Sequence, residues 1–188
     1  MNAATAHLEG GFADPAPQAA TAFRAIMSAM ARPGRIETIT GATPPAPLSP
    51  AAGAVLLTLC DADTPVHLAG DADCAAVRDW IRFHLGAPLT GPEEAMFAVG
   101  RWDALPKGAF AIGTSEYPDR SATLIVETDQ LSPDGATLRG PGIRDTAMLS
   151  LPETDAFRAN RALFPLGLDF VFTCGDLLAA LPRSTEVC

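Results

Sequence analysis

Three observations predict an α/β layered domain. Stretches with helical periodicity alternate with short apolar runs along most of the chain. Leu124, Ile125 and Val126 are apolar with no polar alternation, as in a strand covered on both faces, and Phe170, Val171 and Phe172 repeat the pattern. No internal repeat or low-complexity tract divides the 188 residues. Residues 1–188 therefore read as one domain, with residues 1–14 a poorly ordered lead-in and residues 183–188 a flexible tail.

Asp14 and Pro15 predict the start of the first helix, the acid as N-cap and the proline at the first helical position, and Pro33-Gly34 ends it. Along this helix Phe23, Ile26, Met27 and Met30 form an apolar stripe that faces the core or a partner. A short strand follows over residues 35–40, then a stiff, proline-rich surface connection over residues 42–50. Val55, Leu56, Leu59 and Cys60 predict a second helix, residues 64–68 a strand, and Val77, Trp80, Ile81 and His84 a helix over residues 73–85. Residues 95–100 read as a buried strand, residues 102–105 as a helical turn, residues 153–163 as a helix and residues 169–173 as a central strand. The apolar residues 147–151 belong to no assignable element, and structure is expected to fade after Pro182.

The stretch 113–143 carries the candidate site. A strand over residues 122–128, a turn at Ser132-Pro133-Asp134-Gly135 and a returning arm at Ala136-Thr137-Leu138 predict an antiparallel hairpin. Its open end would bring Glu116, Tyr117, Asp119 and Arg120 beside Arg139, Gly140, Gly142 and Arg144. Two outcomes fit that grouping. Asp119 could pair with Arg139 or Arg144 as a structural ion pair. Alternatively Arg120, Arg139 and Arg144 could turn their guanidinium forks to a phosphate-bearing ligand or to acidic residues of a partner, with the Tyr117 phenol donating beside them. Gly140 and Gly142 fit either an anion-binding turn or simple chain reversal, for which glycine's conformational freedom is sufficient on its own.

Composition excludes several classes. The net charge of -9 argues against a nucleic-acid surface, which needs lysine and arginine to neutralise phosphates. No apolar run approaches the roughly 18 residues of a membrane span, and without a visible leader the expected location is the cytoplasm. Cys60, Cys74, Cys174 and Cys188 are far apart and read as reduced, mostly buried thiols rather than metal ligands. His7, His67 and His84 lack the spacing of a metal-binding helix, and neither GxSxG, GxxxxGK[ST] nor GxGxxG occurs. Lys107, the single lysine, reads as a solvated loop residue, so no pyridoxal phosphate Schiff base is expected.

The segments GTSEYPDRSATLIVE, LRGPGI, FPLGLDFVFT and LPRST follow one another in this order, with FRAIMSAMARPGRI and LLTLCDADTPVHL before them. Together they resemble the H subunit family of the bacterial carbon-phosphorus lyase core complex. That resemblance implies a three-layer α/β/α sandwich with a mixed sheet, reminiscent of pyridoxal phosphate transferases but without that cofactor. It further implies a non-autonomous subunit required to form ribose 1-phosphonate 5-triphosphate from ATP and a phosphonate, which are substrates of the complex. The implied partners are the family's G, I and J subunits, with a homodimer when the chain is isolated, and the iron-sulfur chemistry belongs to another subunit. LPRST, with Arg183, is among the family's signatures and reads as a docking segment, held by the body of the domain or by another subunit. The alternative is a stand-alone enzyme or binding protein with its own nucleotide or phosphonate pocket near Arg120 and Arg139.

Overall fold

A computed structural model describes residues 9–188. His7 and the expected disorder of residues 1–8 lie outside the described residues. The rest of the lead-in is packed: Thr43 N donates to the Gly10 carbonyl at 2.9 Å and Phe12 lies against the core.

The first helix, α1 (Pro15–Ala31), follows Asp14 and carries proline in its first turn. Its buried face is Ala22, Ile26 and Ala29. Of the expected apolar stripe only Ile26 is fully covered, while Phe23 and Met27 are 47% and 49% exposed. A two-residue strand, β1 (Glu37–Thr38), precedes the proline-rich connection. There Ser49 caps α2 (Pro50–Leu59), accepting from Ala52 N at 3.1 Å. Next come β2 (Val66–Leu68), α3 (Ala75–His84) with Val77, Trp80 and Ile81 buried, and β3 (Phe97–Arg101). The chain continues through a 3-10 turn at Pro118–Arg120 into β4 (Thr123–Glu127). It closes with β5 (Ala136–Arg139), β6 (Ala147–Leu149), α4 (Asp155–Ala162), β7 (Asp169–Cys174), β8 (Leu177–Leu181) and β9 (Glu186–Val187).

Six strands form one mixed sheet in the order β1-β8-β7-β4-β3-β2. The four from β2 to β7 are parallel, while β8 and β1 add an antiparallel margin. The predicted hairpin is therefore corrected. Both edges of β4 are taken, by β3 and β7, so β5 has no place beside it and instead pairs with β6 and β9 in a separate three-stranded sheet. An apolar run without alternation is the mark of a parallel strand buried on both faces, and Leu124, Ile125 and Val126 are each 0% exposed.

Alternate side chains of the large sheet build two cores. Ile125, Val171, Leu178 and Ala180 join α1, α2 and α3 on one face. Leu124, Val126, Phe170 and Phe172 face α4 and the small sheet on the other. The fold is thus α/β with helices covering one side, whereas the expected second helical layer is one short helix plus a small antiparallel sheet. The tail expected to be flexible is also corrected: Val187 is 7% exposed and Thr185 3% exposed, and β9 completes the small sheet.

Phe157 anchors α4. Its ring meets Phe170 edge-on at 4.9 Å and Phe172 at 5.7 Å, and lies 4.7 Å from Trp102. Phe157→Ala is expected to cost about 3–5 kcal/mol, measured as a lower urea midpoint at unchanged slope.

Glu127, at the end of β4, ties the start of α2 to the sheet. It accepts from Ser49 N at 2.7 Å and from the Thr173 hydroxyl at 2.9 Å. Burial holds its carboxyl above the ordinary value of 4.5, although those hydrogen bonds pull the other way. A raised native value means that the folded chain binds the proton more tightly than the unfolded chain. Its favourable effect is complete below 4.5 and is lost as pH rises through the raised value. Glu127→Gln keeps an acceptor for Ser49 and carries no charge. The variant should be the more stable at neutral pH, with the difference closing as pH falls to 4.5 in parallel urea titrations.

Candidate functional site

The turn before β4, the first residue of β7 and the chain leaving β8 meet at the amino-terminal end of the parallel strands. Register places them there: Asp169 pairs with Thr123, and Phe170 pairs with Leu181, so the residues just past β8 fall beside Asp169. Arg183 joins all three segments. Its backbone N donates to Asp169 Oδ1 at 2.8 Å, its Nε is 3.2 Å from both Asp169 oxygens, and Nη2 also donates to Asp169 Oδ2 and Ser121 Oγ. Nη1 donates to the Pro118 carbonyl at 2.5 Å. The two side chains are 14% and 16% exposed, so this is a part-buried, bidentate ion pair with its remaining donors largely used.

A cleft of about 520 Å³ opens beside that pair. Its walls are Met30 and Ala31 at the end of α1, Pro118 and Asp119, Pro141 and Gly142, Phe164 and Pro165, and Pro182, Arg183 and Ser184 around Asp169. Four prolines give it fixed contours. Gly142 sits where no side chain fits, since a Cβ there would be 1.9 Å from the Ala31 carbonyl oxygen, and its φ is +83°. The turn 139–142 thus packs against the end of α1.

The expected grouping is only partly assembled. Asp119, Gly142 and Arg183 line the cleft, while Glu116, Tyr117, Arg120, Arg139, Gly140 and Arg144 do not. The Arg120 guanidinium lies over the Tyr117 ring at 4.0 Å, making a local exposed pair. Arg139 stands opposite Glu186 across the β5/β9 pair. Gly140 faces the backbone of Ser184 and Thr185, and Arg144 is exposed in the following turn. Among the described residues no ion pair joins Asp119 to Arg139 or Arg144, which corrects that expectation. The turns that carry these arginines still meet, since Pro118 and Asp119 share the cleft with Pro141 and Gly142, but by way of the small sheet and not of a β4/β5 hairpin.

Lys107 also differs from its expected solvation. Its Nζ donates to the Trp102 carbonyl at 2.6 Å and lies 4.2 Å from the centre of that indole ring. Of the thiols only Cys60 is buried, and burial pushes it up to about 12; Cys74 and Cys174 are half-buried and Cys188 is exposed. No helix among the described residues is long and apolar enough to cross a membrane.

A second crevice, of about 280 Å³, lies at the carboxyl ends of β3 and β4, where open α/β sheets commonly hold ligands. Sequence reasoning passed over its residues, although they directly follow two predicted strands. Here Arg101 grips Asp129 through two hydrogen bonds of 2.9 and 2.5 Å, and Trp102 Nε1 donates to Glu153 at 3.0 Å. Arg101 and Asp129 bond each other, while Glu127, Thr128 and Ser150 bond neighbours outside the crevice. The first cleft, like this crevice, has largely apolar walls.

Asp169 is part-buried and borders the cleft, so Arg183→Met should cost about 1.5–3 kcal/mol through the lost charge-assisted hydrogen bonds. The double variant Arg183→Met with Asp169→Leu should recover part of that loss in a denaturation cycle.

Comparison with known proteins agrees across the chain. The family model for PhnH, a bacterial phosphonate metabolism protein, matches residues 10–188. The PhnH subunit of alpha-D-ribose 1-methylphosphonate 5-triphosphate synthase from Rhizobium meliloti (strain 1021) is 44% identical over 197 residues, covering 100% of this chain and 98% of that protein. HtxG of Stutzerimonas stutzeri, whose name assigns it provisionally to a C-P lyase as a subunit, is 30% identical over 183 residues, 92% of this chain and 87% of its own. With a family match over nearly its whole length and a full-length relative at this identity, the chain belongs to the PhnH family of bacterial phosphonate metabolism proteins.

Proposed function

We propose that this chain is the H subunit of a carbon-phosphorus lyase system, needed when ATP and a phosphonate are joined as ribose 1-phosphonate 5-triphosphate, and that it works through protein contacts. The observation that carries this reading is the match, end to end on both chains, with a subunit of a synthase named for that type of product. The reading extends to the G, I and J subunits as partners and to self-association of the isolated chain, in the cytoplasm. The likeness to pyridoxal phosphate transferases belongs to the same proposal, supported by the parallel strands and antiparallel margin of the large sheet.

Site chemistry favours docking over a private nucleotide pocket. Arg183, the one arginine on the cleft wall, is already engaged by Asp169, Pro118 and Ser121. What the cleft offers outward is Met30, Phe164 at 50% exposure and a proline frame, with Asp119 at the rim. A triphosphate would meet few donors there, whereas an apolar side chain of a partner would be well received. Arg120, spread over Tyr117, and Arg139, on β5, stand apart from it.

Calorimetric titration separates the two readings. The purified chain should give no heat with ATP or methylphosphonate, and clear heat on adding the G and I subunits. Phe164→Asp should weaken that association about tenfold or more, the loss expected of an aromatic anchor. Saturable binding of ATP to the isolated chain would overturn the docking reading in favour of an enzyme with its own pocket.

A further inference from the structure

The two margins of the large sheet end differently. On β2 the loop after α3 covers the outer edge: Val66 N donates to the Pro88 carbonyl at 2.8 Å, and Thr90 N donates to the Val66 carbonyl at 3.0 Å. At the other margin β1 pairs with β8 and has no strand on its far side. Ile39 N donates to the Asp176 carbonyl at 2.8 Å, and Glu37 lies opposite Leu178. In an antiparallel pair such bonds fall on alternate residues, so Glu37 and Ile39 turn their backbone groups to β8 while Thr38 turns its N–H and C=O outward. The same alternation turns Ile36 and Thr40 outward. Among the described residues nothing bonds the backbone of these three, and Thr38 and Thr40 are exposed.

Proteins commonly blunt an open edge with proline, lysine or a covering loop. Residues 36–40, IETIT, contain neither proline nor lysine, and Ile36, Thr38, Ile39 and Thr40 are β-branched residues that favour strands. Beside the edge, α1 contributes Thr21, Ala22 and Ala25, whose small side chains leave a groove of about 210 Å³ along Thr38, Ile39 and Thr40. A second backbone thus meets both room and unpaired groups.

The edge is also complementary to itself. Set antiparallel about a two-fold axis at Thr38, it brings Thr38 opposite Thr38 of the second copy and Ile36 opposite that copy's Thr40, so each outward N–H meets a C=O. Glu37 falls opposite Ile39 and not opposite another Glu37. Its carboxylate is already held by Arg35 Nε at 2.6 Å and by the Ser28 hydroxyl at 2.6 Å. No like charges stand directly opposite in this register, and a central Thr–Thr pair is a favourable one.

We infer that β1 is the surface through which two copies of this chain associate, their large sheets joined edge to edge at Thr38. The inference rests on the self-association proposed above and supplies its surface; none of residues 36–40 lines the docking cleft. One strand pair is a small interface, so the dimer is weak, with half-association on the order of 10–100 μM.

The test is sedimentation equilibrium of the full chain across that range, with circular dichroism to show that each variant is folded. Thr38→Pro deletes an N–H that bonds nothing within the chain, at an edge position where proline is tolerated, and should weaken association about tenfold. Thr38→Lys and Thr38→Glu should each weaken it about threefold to fivefold, because like charges meet at the axis, whereas an equimolar mixture of the two should form mixed dimers at least as well as the wild type. A wild-type chain that stays monomeric would overturn self-association and its surface together. Dimers unchanged by Thr38→Pro, or a mixture no better than either charged variant alone, would overturn the edge while leaving self-association through another face.

Discussion

The ion pair between Asp169 and Arg183 governs the end of the molecule where the candidate cleft forms. Asp169 opens β7, and Arg183 follows β8, so their contact closes the hairpin at its open end. The same guanidinium reaches Pro118 and Ser121, fixing the turn that leads into β4. Three segments that are remote in sequence thereby share one charge pair. Removing a charged pair from water is costly, and this one compensates with hydrogen bonds to both Asp169 oxygens and with geometry that only the closed hairpin supplies. Its value lies in specifying which segments meet, and the cleft walls follow from that choice.

The cleft and the carboxyl-end crevice illustrate two uses of polar chemistry on one sheet. At the carboxyl ends, Arg101 pairs with Asp129 on the crevice wall and Trp102 donates to Glu153. Near the amino ends, the polar groups are drawn inward by Arg183, and the outward surface is left to proline, methionine and phenylalanine. A surface of that kind suits recognition by shape and apolar contact, in keeping with a family whose relatives are named as subunits.

Much of the fold was legible because its signals are local. Asp14-Pro15 and Pro33-Gly34 bracket α1, and the stripe Val77, Trp80 and Ile81 marks α3. Runs such as Phe170-Val171-Phe172 announce buried strands. Pairing is different, since it is not written in any single segment. The run at β4 was read as buried on both faces, yet the parallel neighbours that such burial implies were not drawn from it. β6 and β9, of three and two residues, are too short to show any period. Arg183 was singled out without its partner. Reading Gly175-Asp176 as a two-residue turn between two apolar runs would have set Phe170 opposite Leu181 and revealed Asp169 beside it.

The pairing of Glu37 with Leu178 carries a kinetic consequence. β1 is the first strand made and waits for β8, which is made near the end, while α1 rests its buried face on α2 and on that same late strand. During synthesis the early helices must persist with an apolar side still uncovered. The sheet's long-range pairings also make loop closure costly, which favours slow folding of the whole over stepwise folding of its parts. Until the later segments arrive, the apolar side of these helices is the chain's exposed surface.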